Sequence, residues 1–171
     1  MTVRLADERD IPEVLIAYQD DPELHLRLGE PRPPSGAELG RRAEAAEADS
    51  LAGRSLTMTI VEGDEDVCHG QIYVHRADWE NGRVELGIWV APRRRGHGLA
   101  RRSLAMVGRW LLVEGGFERV QIATEPDNAR MIAAAEGAGF TFEGVLRGSR
   151  RERERRVDEA VLSLVGRDLR S

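Results

Sequence analysis

The chain has 171 residues, of which 41% are hydrophobic and 32% charged, with a formal net charge of -5. That size suits one domain spanning residues 1–171 and burying about 70% of the unfolded chain's surface, and the composition is too apolar for disorder and too charged for a membrane protein. The negative balance argues against nucleic acid as a partner, because domains that grip a phosphate backbone are normally basic.

Thr2 to Leu5 reads as a short strand. Asp10-Ile11-Pro12 places a capping residue and an early proline before Val14, Leu15, Ala17 and Tyr18, which have the spacing of an amphipathic helix. Asp20 to Pro34 is polar and proline-interrupted, a long loop with one turn of helix near Leu24 to Leu28. Ser35-Gly36-Ala37-Glu38 matches a capping box and opens a mostly polar helix to about Ser50, suited to covering an edge. Ser55 to Val61, Val67 to Val74 and Arg83 to Val90 are β-rich runs, separated by turns at Glu62 to Asp66 and Asp78 to Gly82, and predict an antiparallel meander. Gly98 to Glu114 carries Leu99, Leu104, Val107 and Leu111 at helical spacing and ends on Gly115-Gly116. A strand at Val120 to Thr124, a helix at Asp127 to Gly137 and strands at Phe140 to Leu146 and Val157 to Val165 complete an α+β order: a mixed sheet with helices on its faces. No apolar run approaches the ~20 residues of a membrane span. Met1-Thr2-Val3-Arg4-Leu5 lacks the basic start and apolar core of a signal peptide, so a cytoplasmic protein is expected.

The most informative stretch is Val84 to Ala100: a strand, a basic glycine-containing turn and a helix start. Small residues let backbone amides approach an anion, and a helix N-terminus adds partial positive charge, which suits a pyrophosphate. A dinucleotide fingerprint would need a third glycine where Arg101 stands, and a P-loop would need Gly-Lys-Ser/Thr; neither is present. The single cysteine, Cys68, excludes an internal disulfide and reads as a small buried hydrophobe on a strand. All 25 basic residues are arginine, so no lysine exists to be self-acylated.

Arg95-Gly96-His97-Gly98-Leu99-Ala100 resembles the Arg/Gln-x-x-Gly-x-Gly/Ala signature of the GNAT superfamily of N-acetyltransferases, with the strand before it and the helix after it. The resemblance covers nearly the whole chain. Arg4 to Asp10 with its helix looks like the family's opening, Glu85 to Val90 like its fourth strand, and Asn128 to Phe140 like its closing helix and turn, in detail nearest the Rim-type branch of ribosomal-protein N-terminal acetyltransferases. It implies a mostly antiparallel sheet of six to seven strands with helices on both faces, acetyl-CoA or another acyl-CoA as co-substrate, no metal, and direct transfer to an amine in a ternary complex.

The same resemblance assigns residues. Ile88, Trp89 and Val90 would pair with the pantetheine arm, Arg95, Gly96, His97, Gly98, Leu99, Ala100 and Arg101 would hold the pyrophosphate, and Asn128 would bond the pantetheine while also suiting a helix cap. Arg93 and Arg94 meet adenosine phosphates or are solvated surface. An acceptor amine is protonated near neutrality, so transfer requires a base. Period-two alternation puts Glu85, Gly87 and Trp89 on one face and Val84, Leu86, Ile88 and Val90 on the other. Glu85 stands where related enzymes carry a base acting through water; the alternative is a strand glutamate paired with an arginine on a neighbouring strand. The Val90 amide would donate to the developing oxyanion. Where the family often has a serine or tyrosine to protonate the leaving thiolate, this chain has Met131 and Ala135, which motivates the alternative of a non-catalytic acyl-CoA-binding regulatory domain. His25, Trp79 and Asp158 are the candidate acceptor-binding residues, each alternatively structural, and Arg150 to Arg156 is a solvated hairpin tip or a guide for an acidic acceptor. The expected partners are a peptide or protein N-terminus or a small-molecule amine; related proteins are often homodimers.

Overall fold

The computed structural model of the chain describes residues 1–63, 66–152 and 154–170. In chain order it contains β1 (Thr2–Leu5), α1 (Ile11–Asp20), α2 (Leu24–Arg27), α3 (Gly36–Leu51), β2 (Leu56–Val61), β3 (Gly70–Asp78), β4 (Arg83–Val90), α4 (Leu99–Val113), β5 (Arg119–Thr124), α5 (Ala129–Gly137), β6 (Thr141–Glu152) and β7 (Arg155–Val165). The seven strands hydrogen-bond in the order β1-β2-β3-β4-β5-β7-β6, with β4 and β5 parallel and the pairs β1–β2, β2–β3, β5–β7 and β7–β6 antiparallel. This is the mixed α+β sheet expected from the order of elements, and it is mostly antiparallel as the family resemblance implies. Contacts divide the chain into two compact units, Met1–His75 with Ile88–Leu99, and Arg76–Gly87 with Ala100–Ser171, so that β3 and β4 contribute residues to each.

In the first unit, the α1 entrance is fixed by a buried charge. Asp10 is 2% exposed and accepts from Arg4 at 2.8 and 3.1 Å and from the Thr59 hydroxyl at 2.5 Å, which ties β1 and β2 to the turn before α1. Ser35 and Glu38 form the capping box that opens α3, and no residue of that helix is buried, as its polar composition predicts. Val14, Ala17, Tyr18, Leu24, Cys68 and Trp89 make one buried cluster. Cys68 is buried as expected, but it lies in the extended segment before β3 and not on a strand. The strand itself runs Gly70–Asp78, later than the expected Val67 to Val74, starting where Gly70 pairs with Ile60 of β2 and ending beyond the apolar run. Asp64 and Glu65, within the turn expected at Glu62 to Asp66, lie outside the described residues.

In the second unit, Leu104, Val107 and Leu111 of α4 are buried, as are Val120 and Ile122 of β5 and Leu162 and Leu164 of β7. A Cβ built on Gly108 would sit 3.1 Å from Leu164 and 3.3 Å from Phe140, so this glycine lets α4 approach closely. The hairpin arms are longer than hydropathy suggests: β6 reaches Glu152 and β7 starts at Arg155, so most of the arginine-rich run is strand. Arg153 lies outside the described residues. Alternation along the start of β4 is absent, because Val84, Glu85 and Leu86 are all buried, the pattern of a strand covered on both faces.

Candidate active site

In the first unit, the strand-to-turn passage is built by close backbone approach. A Cβ on Gly70 would lie 2.3 Å from the Trp89 carbonyl oxygen and 3.0 Å from the Val90 Cα, so β3 meets the end of β4 without room for a side chain. The Ala91 amide donates to the His69 carbonyl at 2.9 Å, closing the same junction. Trp89 is 4% exposed, and its Nε1 donates to the Tyr73 hydroxyl at 2.9 Å, which donates to Gln71 at 3.1 Å. Ile88 is half-buried and Val90 buried.

A turn of 3-10 helix, Pro92–Arg94, leads into the glycines. Gly96 at φ 82° and Gly98 at φ 73° occupy the left-handed region, and a Cβ on either would meet nothing within 4 Å. The space beside that backbone is therefore open, as an approaching diphosphate requires, and the glycines permit a conformation that side-chain-bearing residues resist. Leu99 is buried and anchors the start of α4, while His97 is exposed with Nδ1 3.0 Å from the Arg95 carbonyl.

The arginines of the turn have protein partners. Arg93 pairs with Asp20 at 3.1 Å and Arg94 with Glu62 at 2.7 Å. Arg95 donates from Nε to the Val90 carbonyl at 3.0 Å and from its terminal nitrogen to Asp21 at 2.6 Å. Asp21 also accepts from Arg27 through both oxygens, at 2.5 and 2.6 Å. Burial opposes ionisation of Asp21, but the hydrogen bonds from Arg95 and Arg27 outweigh it and hold the carboxyl below its ordinary range. His25 is half-buried with Nδ1 2.8 Å from the Pro22 carbonyl. Burial pushes the hydroxyls of Tyr18 and Tyr73 upward. Tyr18 remains a donor, to Glu30 at 2.9 Å, and Glu30 in turn pairs with Arg42 at 2.6 Å.

In the second unit, Glu85 is 7% exposed and accepts from Arg76 at 3.1 and 3.2 Å and from Gln121 at 3.2 Å. The pairing with an arginine on the neighbouring strand is thus realised, with Arg76 on β3. Asn128 caps α5: its oxygen accepts from the Met131 amide at 3.3 Å and its nitrogen donates to Thr124 at 2.9 Å. Met131 is half-buried and Ala135 fully buried, and neither side chain carries a hydroxyl. The aliphatic stem of Arg101 runs 2.8 Å from where a Cβ on Gly137 would sit. Trp79 is 59% exposed, with its ring 4.5 Å from Phe117, and Asp158 accepts from the Gly148 amide at 2.7 Å across the β6–β7 hairpin.

Sequence reasoning did not single out Asp21, Tyr73, Arg76 or Gln121. Asp21 meets Arg95 across 74 positions and Gln121 meets Glu85 across 36, separations at which a polar residue carries no local signal. Among the described residues, no group of three or more His, Cys, Asp or Glu side chains could hold a metal ion, and no helix is long and apolar enough to cross a membrane.

Residues 1–141 match the acetyltransferase (GNAT) domain family. The chain is 24% identical over 168 residues to "Uncharacterized N-acetyltransferase p20" of Bacillus licheniformis, covering 98% of this chain and 94% of that protein. Its fold is similar to Mycobacterium smegmatis RimJ in complex with CoA-disulfide, with TM-score 0.84, 21% identity and coverage of 99% of this chain and 83% of the other. It is also similar to RimL, a ribosomal L7/L12 alpha-N-protein acetyltransferase solved with coenzyme A, at TM-score 0.81, 19% identity and coverage of 95% and 92%. With the strand, left-handed glycine turn and helix in the order the family signature demands, the chain belongs to the GNAT family of acyl-CoA-dependent N-acetyltransferases.

Proposed function

We propose that this chain transfers an acetyl or other acyl group from acyl-CoA to a primary amine by direct attack in a ternary complex, the acceptor being a peptide or protein N-terminus or a small-molecule amine. The observation that carries the reading is the turn after β4, where Gly96 and Gly98 take left-handed conformations with open space beside them and lead into α4. Gly96 to Arg101 hold the pyrophosphate, Ile88 to Val90 pair with the pantetheine arm, and Asn128 adds a side-chain contact to its capping role. The similarity to RimL, an alpha-N-protein acetyltransferase, supports the N-terminal amine as one of these acceptor classes.

The chemistry follows from the substrates. An acceptor ammonium must lose a proton before its nitrogen can attack, since an α-amine has a value of about 7.7–8.0 and a lysine side chain about 10.4. Glu85 takes that proton through water. The neutral nitrogen forms a bond to the thioester carbonyl carbon, the Val90 N–H stabilises the oxygen as it gains charge, and the carbon–sulfur bond breaks. Bond formation leaves the nitrogen positively charged, and its second proton passes through water to the departing thiolate, whose ordinary value is about 8.5, so Met131 and Ala135 do not bar the reaction. His25, Trp79 and Asp158 are the proposed acceptor contacts, and the cytoplasm the proposed compartment.

Thiol release from acetyl-CoA and succinyl-CoA against a panel of N-terminal peptides, polyamines and aminoglycosides tests the reading. Saturable release with one class names the acceptor; no release alongside tight CoA binding transfers weight to a regulatory acyl-CoA-binding domain.

A further inference from the structure

We propose that Asp21 and Arg95 form a positioning pair that fixes the end of β4, so that the Arg95 side chain acts through the Val90 carbonyl and is not a phosphate ligand. The proposal rests on the reading of Gly96 to Arg101 as the pyrophosphate cradle. One edge of the Arg95 guanidinium serves two acceptors: Nε donates to the Val90 carbonyl at 3.0 Å and a terminal nitrogen to Asp21 at 2.6 Å. A planar fork can satisfy two acceptors at fixed separation, which a lysine ammonium cannot reproduce from the same position. Asp21 is 8% exposed, and Arg27 takes both of its oxygens as well. Swinging Arg95 onto a phosphate would leave a buried carboxylate with half its compensation and remove the Val90 carbonyl's arginine donor. Truncating one member of such a pair costs far more than the pair's net contribution.

The pair also joins two functional segments of the same unit. Asp21 ends α1, its amide bonding the Ala17 carbonyl at 3.0 Å, and its own carbonyl accepts from the Leu24 amide at 2.9 Å. That places it at the root of the short helix bearing His25 and Arg27, a proposed acceptor loop. Val90 is the proposed oxyanion donor, and its carbonyl is the group Arg95 holds. A displacement of the loop therefore reaches Val90 through two hydrogen bonds, with no contact to either substrate.

The two roles of Arg95 predict opposite signs when Asp21 is neutralised. If Arg95 is a phosphate ligand restrained by Asp21, Asp21→Asn releases its charge, tightens CoA binding and steepens the salt dependence of that affinity. If Arg95 is a positioning residue, Asp21→Asn does not tighten binding, the salt dependence keeps its slope, and kcat falls roughly tenfold to a hundredfold as the end of β4 loses its register. The experiment is titration calorimetry of the full chain with CoA at several salt concentrations, together with steady-state kinetics, for the native protein, Asp21→Asn, Arg95→Gln, Arg95→Lys and the double variant Asp21→Asn/Arg95→Gln. The proposal expects the double variant to lose no more than either single change, Arg95→Lys not to restore kcat, and Arg95→Gln to keep the native salt slope. Tighter binding in Asp21→Asn, a flattened slope in Arg95→Gln or full activity in Arg95→Lys overturns it. A native chain that binds no CoA defeats the reading of the site instead. The pair is then judged on thermal unfolding, where coincident melting of single and double variants supports it and additive losses overturn it.

Discussion

Arg76 directs one guanidinium nitrogen at both carboxylate oxygens of Glu85, at 3.1 and 3.2 Å, from the only non-glycine residue with positive φ among those described. At φ 52°, inside β3, that backbone costs on the order of 1–2 kcal/mol, and strain of this kind is informative when it aims a side chain at a candidate base. Glu85 is accordingly fixed in place by Arg76 and Gln121.

Glu85→Gln keeps the volume and one acceptor oxygen for Arg76 and Gln121, and replaces the other oxygen and the negative charge with an NH2 donor. Loss of a general base lowers kcat by about 10²- to 10⁴-fold, while CoA affinity stays near the native value and the pH–rate profile departs from the native one. Steady-state kinetics across pH, with calorimetry for CoA, separate the two effects. Native turnover with a native pH profile would leave Glu85 as a structural ion-pair partner of Arg76.

Gly98→Asp places a side chain at φ 73° and a negative charge beside the proposed pyrophosphate. The strained conformation alone costs roughly 1–2 kcal/mol, and charge repulsion adds to the loss of affinity. Gly98→Ala, which carries the strain without the charge, should bind CoA with intermediate affinity. Calorimetry that ranks both variants with the native chain would remove the anion from this turn.

The strand-turn-helix of β4 and α4 was legible because its signals are local: glycines, a preceding β-rich run and an amphipathic period lie within about 20 residues of one another. The same holds for the Ser35 capping box and for Asn128 at the α5 cap, both of which the structure shows. What could not be read is the set of partners that gives each charge its role. Arg95 sits in the family signature, and only the fold reveals that Asp21 engages its side chain. Glu85 shows the same limit from the other side, since Arg76 is neither adjacent in sequence nor marked by composition. Hydropathy stops β6 and β7 short because pairing with a neighbour, as of Arg151 with Arg156, carries polar residues into the strands.

Gly70→Ala tests the close approach behind the proposed oxyanion donor. The added methyl would lie 2.3 Å from the Trp89 carbonyl oxygen and 3.0 Å from the Val90 Cα, both backbone atoms, so β3 and β4 must separate locally. Overpacking of this kind costs about 1–3 kcal/mol, and here the displaced segment contains Val90. The variant should melt below the native protein and lose kcat beyond what its folded fraction explains. Thermal unfolding and kinetics at a temperature where the variant is fully folded give the answer; a native kcat there would separate Val90 from the chemistry.

Cys68 bears on how the enzyme is assayed. Burial pushes its thiol up to about 12. The thiolate is the reactive form, so at pH 8 the folded chain should consume a disulfide reagent far more slowly than free CoA does. Counting thiols before and after denaturation checks this. Rapid labelling of the native chain would show that the segment before β3 opens readily, and release assays would then need Cys68→Ala as the working background.

The final prediction concerns acid stability. Hydrogen bonds from Arg119 and from Ser163 hold the Glu143 carboxyl down to about 2 from an ordinary 4.5. A carboxylate whose folded value is depressed contributes stability that is fully present above the unfolded value and is lost as pH falls through the folded one. The contribution of Glu143 is therefore intact above about 4.5 and disappears toward about 2. Glu143→Gln cannot titrate, so urea unfolding between those limits should show a shallower loss of stability with falling pH than the native chain, and the two curves should converge at the acid end. Parallel curves over that interval would mean that Arg119 and Glu143 do not stay paired in solution, which is the fate of many exposed ion pairs. The Ser163 hydroxyl, 2.7 Å from the same carboxylate and itself buried, is the reason to expect otherwise here.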